Sequence, residues 1–149
     1  MQIWVDADAC PKPVKEMLLR AAKRVEVHVC FVANHPVPVP RSALVSFVQV
    51  PAGFDIADNH IAQNMEPGDL VITQDIPLAA EVIELGGTAI NPRGSTYTKE
   101  NVRQRLNMRD FMEELRATGQ VGGGPPPFNN TDKQTFANAL DRWLARNCQ

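Results

Sequence analysis

Five aspartates stand at spacings that could do chemistry together. Val5-Asp6-Ala7-Asp8-Ala9-Cys10-Pro11 puts two carboxylates two residues apart, directly after the apolar run Ile3-Trp4-Val5. Asp55-Ile56-Ala57-Asp58 puts two more three residues apart, a spacing that sets both on one side of a helix's first turn. Asp75 closes the run Leu70 to Gln74. Clustered carboxylates repel, and burying them without a partner is costly. A hard divalent cation offsets that repulsion: Mg²⁺ takes oxygen ligands, keeps several waters, and needs only one or two carboxylates plus a substrate phosphate. Mn²⁺ accepts the same donors. A cation so held activates water and steadies a phosphoryl oxygen, and two cations clamp both attacking and leaving oxygens. No His and Cys cluster competes for zinc. Simpler roles exist for some of these acids, since Asp55 and Asp75 both suit helix N-caps.

The elements that must position the acids follow from periodicity. Residues 2–5 fit a short buried strand. From Pro13, the residues Val14, Met17, Leu18, Ala21, Ala22 and Val25 make the apolar face of a helix entered through prolines. Val25 to Val32 reads as a β-branched strand, and a proline-rich loop, Asn34 to Pro40, follows. Leu44 to Val50 reads as a third strand, Asp55 to Met65 as a helix, Asp69 to Gln74 as a fourth strand and Pro77 to Leu85 as a short helix. Gly86-Gly87 supplies a left-handed stop, and Thr88 to Ile90 a fifth strand. A loop through Tyr97 leads to a long helix with Val102, Leu106, Phe111, Met112 and Leu115 on its apolar side. After Gly122 to Pro127, read as a stiff connector, a last helix starts at Thr131. Gln134 completes its capping box, and Phe136, Leu140, Trp143 and Leu144 form its buried stripe. Alternating strands and helices imply a mostly parallel sheet covered on both faces.

Such sheets bind ligands outside the carboxyl ends of their strands. Asp6 and Asp8 end the first strand, Asp55 and Asp58 follow the third, and Asp75 follows the fourth, so all five share one edge. Asp69 enters its strand at the opposite edge and is set aside. Arg93 in Asn91-Pro92-Arg93-Gly94 follows the fifth strand; a guanidinium there can hold phosphate bidentately, Gly94 permits close backbone approach, and Ser95 and Thr96 add hydroxyls. Asn34 and His35 follow the second strand, with His35 a candidate proton carrier. Thr73 and Gln74 are placed to orient Asp75. Lys99, Arg103, Arg105, Arg109 and Arg116 stripe the long helix, as a phosphate track or simply as its wet face. His60 reads as packed or capping, Trp4 as core and Trp143 as helix packing. Cys10 lacks a histidine partner for nucleophilic work.

Composition bounds the rest. The chain has 149 residues, 44% of them hydrophobic, enough for one domain with a real core. A formal net charge of −2 neither announces nor excludes nucleic-acid binding. The three cysteines lack zinc-type spacing and read as reduced thiols. No leader pattern and no apolar run of membrane-spanning length is present, so a cytoplasmic protein without membrane association is expected. A homodimer is compatible with this reading.

VDADACP, Asp55 to Asn59 (DIADN), Gly68 to Ala79 (GDLVITQDIPLA) and Asn91 to Gly94 (NPRG) together resemble the YaiI/YqxD family of uncharacterised bacterial proteins, over nearly the whole chain. That family resembles PIN-like domains, a fold of metal-dependent nucleases. The resemblance implies a single PIN-like domain over 1–149, an α/β/α sandwich, with an acid after the first strand, a second on a middle helix and an Asp after a later strand. Asp6, Asp58 and Asp75 match these positions, and Asp8 and Asp55 are additional acids. The leading expectation is metal-dependent phosphodiester hydrolysis, with RNA as partner. Asp6, Asp8, Asp58 and Asp75 would be catalytic, all five acids would hold Mg²⁺ or Mn²⁺, and Arg93, Ser95 and Asn34 would bind substrate. Two alternatives stand beside it. One is a regulatory module that binds metal or RNA without turnover. The other is a haloacid-dehalogenase-like phosphatase, which also begins strand-Asp-x-Asp but departs from this chain at Cys10 and lacks a later lysine motif here.

Overall fold

In the computed structural model, residues 1–53, 56–104 and 127–147 are described. Five strands form one parallel sheet: β1 (Gln2–Asp6), β2 (His28–Ala33), β3 (Val45–Gln49), β4 (Leu70–Ile72) and β5 (Thr88–Ile90), in the spatial order β3-β2-β1-β4-β5. The first strand is thus the middle of the sheet. Its residues are apolar on both faces because helices cover both. Ile3 pairs with Val29 and Leu70, and Val5 with Phe31 and Ile72. These side chains join Ile90 in a core closed by α1 (Lys12–Val25) and α5 (Asn130–Asn147). Trp4, Cys30, Val32, Val71 and Ala89 point the other way, toward Ile61 of α2 (Ile56–Asn64) and Leu78 and Val82 of α3 (Ile76–Glu84). The result is a three-layer α/β/α sandwich, as expected. Among the described residues no helix is long and apolar enough to cross a membrane.

Several boundaries differ from those read in the sequence. Val25 stays in α1, partly buried against the core, and Glu26 ends the helix in the left-handed conformation at φ 56°, so β2 starts only at His28. Strand β3 is shorter than expected at both ends, and β4 covers only the three residues fully buried between helical layers. The expected capping box at Thr131 and Gln134 is corrected. Asn129 and Asp132 form the box instead: Asn129 Oδ1 accepts from the Asp132 amide at 2.9 Å, and Asp132 Oδ2 accepts from the Asn129 amide at 3.2 Å. Gln134 bonds to Asn138 along the helix surface. Another reciprocal pair, Thr98 and Asn101, opens a fourth helix, α4, described over residues 99–104. Asp55, Leu106, Phe111, Met112, Leu115, Arg105, Arg109, Arg116, Cys148 and residues 122–126 lie outside the described residues.

Candidate functional site

The strand order reverses beside β1: the chain leaves it for β2 on one side, and β4 lies on the other. Ligands of such sheets bind at the carboxyl ends of two strands whose connections leave in opposite directions. Asp6 ends β1 there, and the segment after β4 supplies its neighbours. Thr73, buried, donates from Oγ1 to Asp6 Oδ2 at 3.1 Å and accepts from the Asp75 amide at 2.9 Å. Asp75 caps α3, with Oδ1 accepting from the Leu78 amide at 2.8 Å. Thr73 therefore ties the first strand's acid to the fourth strand's acid. Thr73, expected to orient Asp75, holds that residue's amide, and the carboxylate it contacts is that of Asp6.

Asp8 sits in the single 3₁₀ turn Ala7–Ala9 that follows β1. Its carboxylate accepts from the Asn34 amide at 3.0 and 3.1 Å, and from His35 Nδ1 at 2.7 Å. The end of β2 thereby clamps the turn after β1. Asn34 reaches this site through its backbone, serving Asp8.

Burial pushes the Asp6 carboxyl up to about 6; the Thr73 bond works against this, and the negative Asp8 and Asp75 carboxylates add to the rise. Asp6, Asp8 and Asp75 are therefore one electrostatic unit. Asp58 occupies the first turn of α2, which starts from the same edge. Cys10 lies close by, and its thiol is pushed up to about 12, first by burial and then by Asp6, with Lys15 opposing. A thiol so protonated is a poor nucleophile at neutral pH.

The all-oxygen donor set and the mutual repulsion around Asp6 fit a hard divalent cation. Among the described residues, no three His, Cys, Asp or Glu side chains converge on a ready-made cage.

Other selected residues have firm structural work. Arg93 Nη1 donates to Asp132 Oδ2 at 2.6 Å and to the Pro127 carbonyl at 3.4 Å, fastening the turn after β5 to the start of α5. A close backbone approach at Gly94 is present, and it is made to α5. Gly94 has φ +101°, and a Cβ there would lie 2.5 Å from the Thr135 carbonyl carbon. Ser95 accepts the Asn91 amide within the same turn. Asn91 and Tyr97 were not singled out by sequence. Asn91 Nδ2 donates to the buried Tyr97 hydroxyl at 2.9 Å, and that hydroxyl donates to the Thr73 carbonyl at 3.4 Å, bracing the Asp6 partner from behind. Their only sequence signal is an Asn and a Tyr flanking a turn. Asp69 lies at the opposite edge, as expected, buried and accepting from the Gln2 amide, Trp4 Nε1 and the Glu66 amide at 2.9–3.0 Å. His60 packs edge-on to Trp4, ring centroids 6.3 Å apart.

A parallel sheet wound in both directions from its first strand defines an α/β protein of the open-sheet class. The chain belongs to the family described as uncharacterised BCR, YaiI/YqxD family, whose model matches residues 4–146. It is 62% identical to a UPF0178 protein of Psychromonas ingrahamii over 98% of this chain and 97% of that one. It is 60% identical to a UPF0178 protein of Marinobacter nauticus over 100% and 99% respectively. No solved structure matches.

Proposed function

We propose that the protein is a metal-dependent phosphodiesterase acting on RNA. The observation that carries this reading is the Asp6–Thr73–Asp75 linkage, with Asp8 close enough to raise Asp6 further, at the sheet's switch point. Asp6 and Asp75 are the residues that hold Mg²⁺ or Mn²⁺, with Asp8 and Asp58 alongside; Asp55, outside the described residues, is a further candidate. When bound, the cation supplies Lewis acidity to water and to the phosphoryl oxygens. Thr73 fixes the direction of the Asp6 carboxylate. Asp8 fixes the His35 ring, with Nδ1 as the hydrogen-bond donor and Nε2 as the nitrogen left to exchange a proton.

The test is cleavage of end-labelled single-stranded RNA in Mg²⁺, Mn²⁺ and EDTA, by the wild type and by Asp6→Asn and Asp8→Asn. The expected result is metal-dependent cleavage that falls at least about a hundredfold in Asp6→Asn. Full metal-dependent activity in both variants would remove these carboxylates from the chemistry. The lack of a ready-made cage among the described residues favours a second reading, a module that binds RNA without cutting it. Tight RNA binding with no cleavage in any metal would establish that one instead.

A further inference from the structure

Next to the acids lies a pocket of opposite character. It has a volume of about 310 Å³ and opens between the first turn of α1 and the proline loop after β2. Lys12 and Lys15 line it on the α1 side, His35, Pro36 and Pro38 on the loop side, and Phe31 forms its buried floor. Lys15 is held in place: its ammonium bonds to the Pro38 carbonyl and lies 5.9 Å from the centroid of the Phe31 ring. No carboxylate pairs with Lys12 or Lys15 among the described residues. The helix start makes their presence more notable. It carries two cations, no acidic residue and no side-chain cap, although helix N-termini favour negative charge. Lys15 is offset by the Pro38 carbonyl and the Phe31 ring, whereas Lys12 breaks this local rule with no carboxylate paired to it, as groups at functional sites do. The pocket adjoins the acids through two shared elements: His35 is bonded to Asp8, and Cys10 lines the pocket within electrostatic reach of both Asp6 and Lys15.

We propose that this pocket binds one nucleotide unit, its phosphate on Lys12 and Lys15 and its base against the His35 ring and the prolines. The volume lies at the lower end of the roughly 300–1,000 Å³ of ligand pockets, in keeping with a ligand of one nucleotide's size. Choosing a nucleotide over other phosphorylated rings rests on the phosphodiester reading above. A strand whose scissile phosphate meets the acids would then place a neighbouring nucleotide here.

The test is calorimetric titration with AMP, ribose 5-phosphate and inorganic phosphate in EDTA, where no cleavage occurs. AMP is expected to bind more tightly than either fragment. Lys12→Gln and Lys15→Gln are each expected to weaken AMP about tenfold, the size of one charge-assisted contact. Lys12 is exposed, so its variant keeps the test valid if Lys15→Gln, checked by thermal melting, loosens the loop. Absence of AMP binding by the wild type, AMP affinity unchanged in both variants, or phosphate binding as tightly as AMP would each overturn the proposal. Metal-dependent RNA cleavage, assayed separately, distinguishes the two readings. Cleavage without AMP binding overturns this pocket alone; AMP binding without cleavage keeps the pocket and overturns the nuclease.

Discussion

A single carboxyl, Asp6, carries the tension of the site. It sits at about 6 in the folded protein against 3.8 for an ordinary aspartate. Between those values the folded state holds more protons than the unfolded chain, so stability falls as pH rises from about 4 to 6 and stays low above that. The penalty at neutral pH is about 1 to 3 kcal/mol. Asp6→Asn removes it and keeps an oxygen for the Thr73 hydroxyl. This variant is expected to melt higher than wild type at pH 7.5, to lose that advantage at pH 4, and to lose any melting shift caused by Mn²⁺. Melting curves at both pH values check this; equal stability at pH 7.5 would show that Asp6 is not strained. The position of Asp6 was legible because a strand end is a local feature. Its hydrogen bond to Thr73 was not, because the two residues are 67 apart in sequence.

The elements were mostly legible where one stripe of apolar residues decided the outcome. Val14, Met17, Leu18, Ala21 and Ala22 are the buried face of α1, and Phe136, Leu140, Trp143 and Leu144 of α5, as their spacing implies. Their ends were less so, because capping is a competition between neighbouring polar side chains. Thr131 and Gln134 have the right types, but Asn129 and Asp132 win because Arg93 arrives from another part of the chain and draws Asp132 to it. Asn129→Ala is therefore expected to cost about 1 kcal/mol, and Thr131→Ala within about 0.5 kcal/mol. Urea unfolding of the two variants separates them; the reverse order would return the cap to Thr131.

The whole molecule divides labour between the two ends of its sheet. At the entry end Asp69 is buried and satisfied by three donors, so it serves stability; at the exit end Asp8 and Asp75 both act against the charge on Asp6. Asp69→Ala leaves the buried Trp4 Nε1–H and two partly buried amides unpaired and is expected to cost about 2 kcal/mol. It should leave cleavage per folded molecule intact, which chemical denaturation and an RNA assay on the same preparation would check. Loss of activity in the fraction that remains folded would contradict this division.

The placement of β1 has a consequence for the order in which the protein comes into being. The first strand made waits for one of its two neighbours, because its partner β4 begins at residue 70. Such distant pairings are slow to form. A ribosome must finish about half of the chain before Asp6 meets Thr73, so the nascent chain exposes a centre strand with nothing on one side. Until then Asp6 lacks the hydroxyl that holds it and the first strand keeps one edge uncovered.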